Sequence, residues 1–446
     1  MTRPATARRA PALTGAVRVP GDKSVSHRAL MLGALAVGRT VVRGLLEGDD
    51  VHATARAVRA FGAGAGRREP GHWCVDGRGV GGLAEPDDVV DMGNAGTGAR
   101  LFLGIAASHP VFSVFTGDAS LRGRPMARVT GPLGDMGARF TGRAGGRLPL
   151  AVEGTDALLP GEHTLSVASA QVKSALLLAG LNTGGRTTVV EPAPTRDHTE
   201  RLLRRFGAAV TTADAGGGAR AVSVEGWPEL EGQTIDVPAD PSSAAFPLVA
   251  ALIVPDSRVT LRAVGLNPLR AGLFDTLREM GAAIEEHDRR EEAGEPVADL
   301  TVTASTLRGI AVPADRVPAM IDEYPVLAVA AACAAGTTRM HGLGELRVKE
   351  SDRLAAIAEG LDACGVAVAV EGDTLTVHGT GRPPAGGATV ATLFDHRIAM
   401  AFLVLGLATE APVRIDDTSA IATSFPGFAA LMNGLGAAIE SAEEGA

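Results

Sequence analysis

Seven cations stand in short polar clusters of a chain that is acidic overall, and their types and spacing point to the binding of a small anion. Lys23, Arg28 and Arg397 lie where polar clusters open into apolar runs, while Arg124, Arg196, Lys349 and Arg353 lie in other short polar stretches. Arginine offers a planar fork for carboxylate or phosphate, and lysine a movable point charge. Any one of them alone reads equally well as a surface ion pair, but all seven together are poorly explained that way. The segment GDKSVSHRAL from Gly21 is the most specific. Lys23 and Ser24 belong to the first turn of a helix there, and Arg28 follows Ser24 on the same side, one turn on. A serine at a helix start usually serves only as its cap, whereas this one has two basic neighbours, which favours a ligand.

The elements that must position these residues form a repeat. Six times a polar cluster opens into an apolar run of helical period: at Gly21, Gly93, Ala168, Asp240, Asp322 and Asp395. Such a start presents free N–H groups and the positive end of the helix dipole to an anion. A second helix in each unit runs into a glycine, at Gly62, Gly137, Gly207, Gly281, Gly365 and Gly436, where a left-handed stop is expected. These glycines are 75, 70, 74, 84 and 71 residues apart. Short β-branched runs between the helices, such as Thr40 to Val42, Thr187 to Val190, Val259 to Leu261 and Val413 to Ile415, read as strands. A period this long, with helix and strand in every unit, favours closed α/β domains over an open solenoid. The 446 residues exceed one ordinary core, so six units divide into two domains of three. Pro238 and Pro241, bracketing Ala239 and Asp240, mark a crossing point.

Composition excludes several functions. A net charge of -9 argues against nucleic acid or an anionic membrane surface, and 3% aromatic residues leave few stacking side chains for single strands. No apolar run approaches the roughly 20 residues that span a bilayer. The start, MTRPATARRAPALTG, has no apolar core for a secretory signal and reads as a frayed tail. Cys74, Cys333 and Cys364 are too scattered for a disulfide framework, and no spacing fits a metal. The expectation is a cytoplasmic protein with no metal.

The segments GDKSVSHRAL, GNAGTGAR, RPM, SAQVKSALLLAG, TRDHTE, RVKESDRL and DHRIAM, in that order, strongly resemble the 5-enolpyruvylshikimate-3-phosphate synthase family, from about Leu13 to Ile439. The resemblance implies transfer of the enolpyruvyl group of phosphoenolpyruvate to the 5-hydroxyl of shikimate 3-phosphate, with release of phosphate and no cofactor. The implied fold is α/β: two similar domains of three helix-strand units, an inside-out barrel with the active site in the cleft between domains. The expected domains are residues 22–239 and residues 1–21 with 240–446, in a monomer. By matching motifs, Lys23, Ser24, Arg28, Ser169, Ala170, Gln171, Arg196, Asp322 and Lys349 would hold shikimate 3-phosphate. Lys23, Asn94, Gly96, Thr97, Arg124, Gln171, Arg353, His396 and Arg397 would hold phosphoenolpyruvate.

That reaction needs a proton removed from the hydroxyl and another delivered to the methylene carbon, giving a tetrahedral intermediate that expels phosphate. Two carboxylates in different surroundings can divide the work. Asp322 is the candidate base and Glu350 the candidate for the methylene, and Lys23 is the third candidate catalytic residue. The competing readings are a plain N-cap for Asp322 and a helical i,i+3 ion pair with Arg353 for Glu350. His27, His198 and His396 read first as structural hydrogen-bonding groups, His396 being the best placed for more.

One departure bears on inhibition by glyphosate, which competes with phosphoenolpyruvate in the family: Thr423 stands where many members have a lysine. That change resembles the branch of the family with low sensitivity, whereas Gly96 points the other way, because tolerance there goes with an alanine whose methyl would crowd the inhibitor, and inhibition is expected. The related transferase acting on UDP-N-acetylglucosamine has a reactive cysteine where this chain has TGDASLRGRPM, with Asp118 and no cysteine. A non-catalytic anion-binding protein would need neither Asp322 nor Glu350. The start at Asp240 carries no cation of its own and reads as hinge and packing.

Overall fold

A computed structural model describes residues 3–441. The chain forms two compact units, one of residues 21–238 with 291–295, the other of the remaining described residues. Each has its own hydrophobic core.

Each unit contains three four-stranded sheets on one plan. In residues 21–238 the first pairs Thr234–Asp236 parallel to Arg39–Arg43, followed by antiparallel His72–Asp76 and Gly64–Glu69. The second runs Val90–Asp91, Phe112–Thr116, Arg147–Glu153, Arg139–Arg143, and the third Glu162–Thr164, Arg186–Glu191, Ala219–Glu225, Val210–Gly216. The parallel edge strand always comes from the end of the preceding repeat. Because the strand ending the third repeat returns to the first, the three sheets of the unit are linked in a ring.

The other unit closes in the same way but uses the beginning of the chain. Ala5–Arg8 lies antiparallel between Val413–Ile415 and Ala438–Ser441, and Thr14–Val17 adds parallel to Arg258–Gly265. The expected frayed tail is therefore corrected from Ala5 onward. Residues 5–17 complete the sixth repeat, with Ala5 and Ala7 buried. Their two-residue alternation is short and surrounded by arginine and proline, so it carries no local signal comparable to its tertiary role.

The six polar starts do open helices: Lys23–Leu35, Gly96–Ala107, Ala170–Gly180, Pro241–Ile253, Tyr324–Cys333 and His396–Gly406. These are buried on nearly all sides, as an all-round apolar helix must be; every residue from Tyr324 to Ala332 is buried. Glycine allows them to approach. A Cβ on Gly104 would lie 2.1 Å from the carbonyl oxygen of Ala175, so the helices Gly96–Ala107 and Ala170–Gly180 meet backbone to backbone. The second helices end as expected, with Gly62, Gly137, Gly207, Gly281, Gly365 and Gly436 all at φ between 79° and 121°. Among the described residues no helix is long and apolar enough to cross a membrane.

Candidate active site

In the unit of residues 21–238, the helix Lys23–Leu35 is capped by Asp22, whose side chain accepts from the Val25 N–H at 2.8 Å. Lys23 Nζ is paired with Asp50, a carboxylate only 5% exposed. Arg28 is buried, and its guanidinium donates to Thr199 Oγ1 at 2.6 Å, Ser174 Oγ at 2.9 Å and the Ser24 carbonyl at 2.9 Å. Burial pulls Arg28 down to about 10; Glu200 and Asp22 oppose this and the nearby Arg196 adds to it. The two arginines therefore feel each other as like charges, which a bound anion would relieve. His27 donates to or accepts from Thr54 Oγ1 at 2.7 Å, and burial, then Lys23 and Arg28, hold it well below the usual histidine range, so it is neutral.

Around the next two helix starts the polar side chains interlock. Asn94 bridges Asp118, at 2.7 Å from its Nδ2, and Arg124, which donates to its Oδ1 at 2.8 Å. Asp118 also caps the short helix Ala119–Gly123. Gln171 donates to Thr97 Oγ1 at 2.9 Å and accepts from Arg100 at 2.8 Å. Ser169 caps the helix that begins at Ala170. The structure thus brings Asn94 and Arg124 into one bonded set and Thr97 and Gln171 into another, and adds to the second Arg100, which sequence reasoning missed. A Cβ on Gly96 would stand 3.0 Å from Arg124 Nη1, the mobile end of a side chain. Gly96→Ala is therefore expected to displace that guanidinium, as a structure of the variant would show.

Beneath Arg28, Lys173 is fully buried with Nζ 3.0 Å from Glu191 and 2.7 Å from Glu200, both also 0% exposed. The available signal was a lone lysine inside the apolar run SAQVKSALLLAG. The segment 291–295 joins the same unit through Glu295, which pairs with His198 Nδ1 at 2.8 Å, and through the Gly294 carbonyl, which accepts from Arg201 at 2.9 Å. His198 is thereby tied to the hairpin tip.

The second cluster centres on Arg353, 1% exposed, which gives Nε to Asp395 at 2.7 Å, Nη1 to Asp322 at 3.1 Å and Nη2 to Glu350. Burial would lower Arg353, but the three carboxylates outweigh it and its pKa is raised. Burial alone would raise Asp395, yet Arg353 brings it below the usual carboxylate range. Asp395 also caps its helix by accepting from the Arg397 N–H at 2.9 Å. Lys349 Nζ is 3.9 Å from Asp322, and Arg397 Nη1 donates to the Asp322 carbonyl at 3.1 Å. His396 is buried at the first turn of the same helix. Leu393 and Phe394, just before it, both hold φ above 50°, a strained approach for two side-chain-bearing residues.

Both competing readings of the acids are answered by geometry. The helix N-cap is Glu323, without a side-chain cap bond, so Asp322 stands outside it and faces Arg353 and Lys349. The next helix begins at Arg353 with Asp352 as cap, so the Glu350 pair is not a pair within a helix. Thr423 spends its hydroxyl on the Ala420 carbonyl at 2.7 Å. The start at Asp240 does have a cation, supplied from elsewhere: Arg270 Nη2 lies 3.0 Å from Asp240 and 2.7 Å from Ser242 Oγ. Among the described residues no group of three His, Cys, Asp or Glu side chains could hold a metal ion.

The profile of the EPSP synthase (3-phosphoshikimate 1-carboxyvinyltransferase) family matches residues 8–432. A 3-phosphoshikimate 1-carboxyvinyltransferase of Rhodospirillum rubrum is 66% identical over 441 residues, covering 98% of each chain. One of Paramagnetospirillum magneticum is 65% identical, again over 98% of each. Among solved structures, an EPSP synthase from Acinetobacter baumannii superposes with a TM-score of 0.89 at 43% identity, covering 99% of this chain and 100% of that one. The enolpyruvyl transferase NikO from Streptomyces tendae shares the fold, with a TM-score of 0.76 at 20% identity and 99% of each chain covered. Matched by the family profile over residues 8–432 and by relatives along nearly its whole length, the chain belongs to the EPSP synthase (3-phosphoshikimate 1-carboxyvinyltransferase) family.

Proposed function

We propose the following roles for these side chains in the reaction of the family. The enzyme transfers the enolpyruvyl group of phosphoenolpyruvate to the 5-hydroxyl of shikimate 3-phosphate and releases phosphate, a step of the shikimate pathway to the aromatic amino acids. Lys23, Ser24, Arg28, Ser169, Ala170, Gln171, Arg196 and Lys349 hold shikimate 3-phosphate. Asn94, Gly96, Thr97, Arg124, Gln171, Arg353, His396 and Arg397 hold phosphoenolpyruvate, with Lys23 touching both substrates. Asp322 takes the proton from the 5-hydroxyl and Glu350 serves the methylene carbon. The cations stabilise the negative charge that develops on the phosphate as the tetrahedral intermediate collapses.

The observation that carries these roles is the Arg353 knot. One buried guanidinium holds two partly exposed acids, Asp322 at 17% and Glu350 at 20%, while the third acid, Asp395, is sealed at 0%. The knot therefore presents two reachable carboxylates beside Lys349 and Arg397, as proton transfer next to an anionic substrate requires. Purified protein mixed with phosphoenolpyruvate and shikimate 3-phosphate should release phosphate. No release, or release that depends on UDP-N-acetylglucosamine, would overturn the reading. The chain acts as a cytoplasmic monomer in this proposal, supported by its net charge of -9 and its three unpaired thiols. Sedimentation equilibrium returning the mass of one chain checks the monomer.

A further inference from the structure

Arg397 is held from one end only. Its Nη1 donates to the Asp322 carbonyl at 3.1 Å and lies 3.7 Å from Glu323 Oε1. Among the described residues, its Nε and Nη2 have no protein partner, so the edge of the fork that can pair side-on with an anion is left open. The acid that faces this held end is Glu323, itself 3% exposed.

Glu323 is the end of a buried polar chain that begins at the Asp240 helix start. Arg270, 3% exposed at its side chain, donates through Nη2 to Asp240 and to Ser242 Oγ. A guanidinium can only donate, so the Ser242 oxygen is the acceptor in that contact and its single proton goes to its other partner, Glu323 Oε1. The direction of the chain is thereby set: Arg270 donates to Ser242, Ser242 donates to Glu323, and Glu323 faces Arg397. Glu323 Oε2 is buried and accepts no hydrogen bond among the described residues. A buried carboxylate oxygen without a partner is costly, and it is retained here beside a cation of the proposed substrate site.

We propose that Glu323, oriented by Ser242 and Arg270, is a positioning residue for phosphoenolpyruvate: it fixes the Nη1 end of Arg397 so that the Nε and Nη2 edge is presented to the substrate. The inference rests on Arg397 being a phosphoenolpyruvate ligand. It also replaces the reading of the Asp240 start as hinge and packing.

Four variants test it by steady-state kinetics with each substrate varied in turn: Glu323→Gln, Ser242→Ala, Arg397→Lys, and Glu323→Gln combined with Arg397→Lys. Glu323→Gln keeps an acceptor for Ser242 but removes the charge facing Arg397. It should raise KM for phosphoenolpyruvate about tenfold, and Ser242→Ala about threefold, with KM for shikimate 3-phosphate and kcat within about twofold of wild type. Arg397→Lys should raise KM for phosphoenolpyruvate at least as much, and Glu323→Gln should add little on top of it, because the two act through one guanidinium. An unchanged KM for phosphoenolpyruvate in folded Glu323→Gln, or an equal rise in both KM values, overturns the inference while leaving Arg397 as a ligand. An unchanged value in Arg397→Lys overturns both that role and the inference. Should Glu323→Gln lose its native circular dichroism, Ser242→Ala decides by the same criteria.

Discussion

Asp322→Asn is expected to lower kcat at least about a hundredfold, the usual loss when a positioned general base is removed, with far smaller changes in either KM. Asparagine keeps the size of the side chain and an oxygen to accept from Arg353 Nη1, now 3.1 Å from Asp322 Oδ1, but it cannot take a proton. The main-chain carbonyl that receives Arg397 Nη1 is untouched by the change, so that guanidinium stays in place. Arg353 retains Asp395 and Glu350, so its positive charge remains compensated in the interior and the protein should fold. Glu350→Gln is expected to reduce kcat by a similar factor through the other proton, for the same geometric reason. Rapid-quench single turnovers separate chemistry from product release. Chemistry within tenfold of wild type in Asp322→Asn would remove Asp322 as the base, and the same result in Glu350→Gln would remove that acid.

The second large effect is on stability. Lys173→Met is expected to cost about 3–5 kcal/mol, because it leaves Glu191 and Glu200 as buried carboxylates without their cation. The methionine fills nearly the same volume, so the loss reports charge rather than a cavity. Urea unfolding monitored by circular dichroism checks it, and a midpoint unchanged from wild type would show that the three buried groups are not electrostatically coupled. Adding Glu191→Gln and Glu200→Gln to Lys173→Met should recover much of the loss, since breaking a buried pair costs more than replacing it whole. Because Thr199, the neighbour of Glu200, receives Arg28 Nε at 2.6 Å, Lys173→Met should also raise KM for shikimate 3-phosphate.

A common device recurs among the candidate cations of both units. Lys23 is paired with Asp50, Arg353 with Asp395 and Arg397 with Glu323, and each of these acids is at most 5% exposed. A buried acid behind each cation compensates its charge and limits its rotamers, so less ordering remains for the substrate to bring about. None of these three partners was legible in the sequence as an acid serving a cation. Asp50 is separated from Lys23 by 27 residues and Asp395 from Arg353 by 42, and no helical or strand period connects them.

What could be read from the chain alone was whatever depends on near neighbours. Caps, apolar period and left-handed glycine stops are decided within about one helical turn, so the six helix starts and six stops stood out, and with them the repeat and the cations beside each start. The motif order then carried the family. Contacts closed across long loops had no such signature: the strand Ala5–Arg8 completing the last repeat, Arg270 serving the start at Asp240, the segment 291–295 joining residues 198–201, and the buried Lys173 set. Partners separated by tens or hundreds of residues are chosen by the packing of whole elements, which no local pattern records. The sequence by itself determined which residues could bind anions and move protons; the tertiary structure decided which acid stands behind which cation.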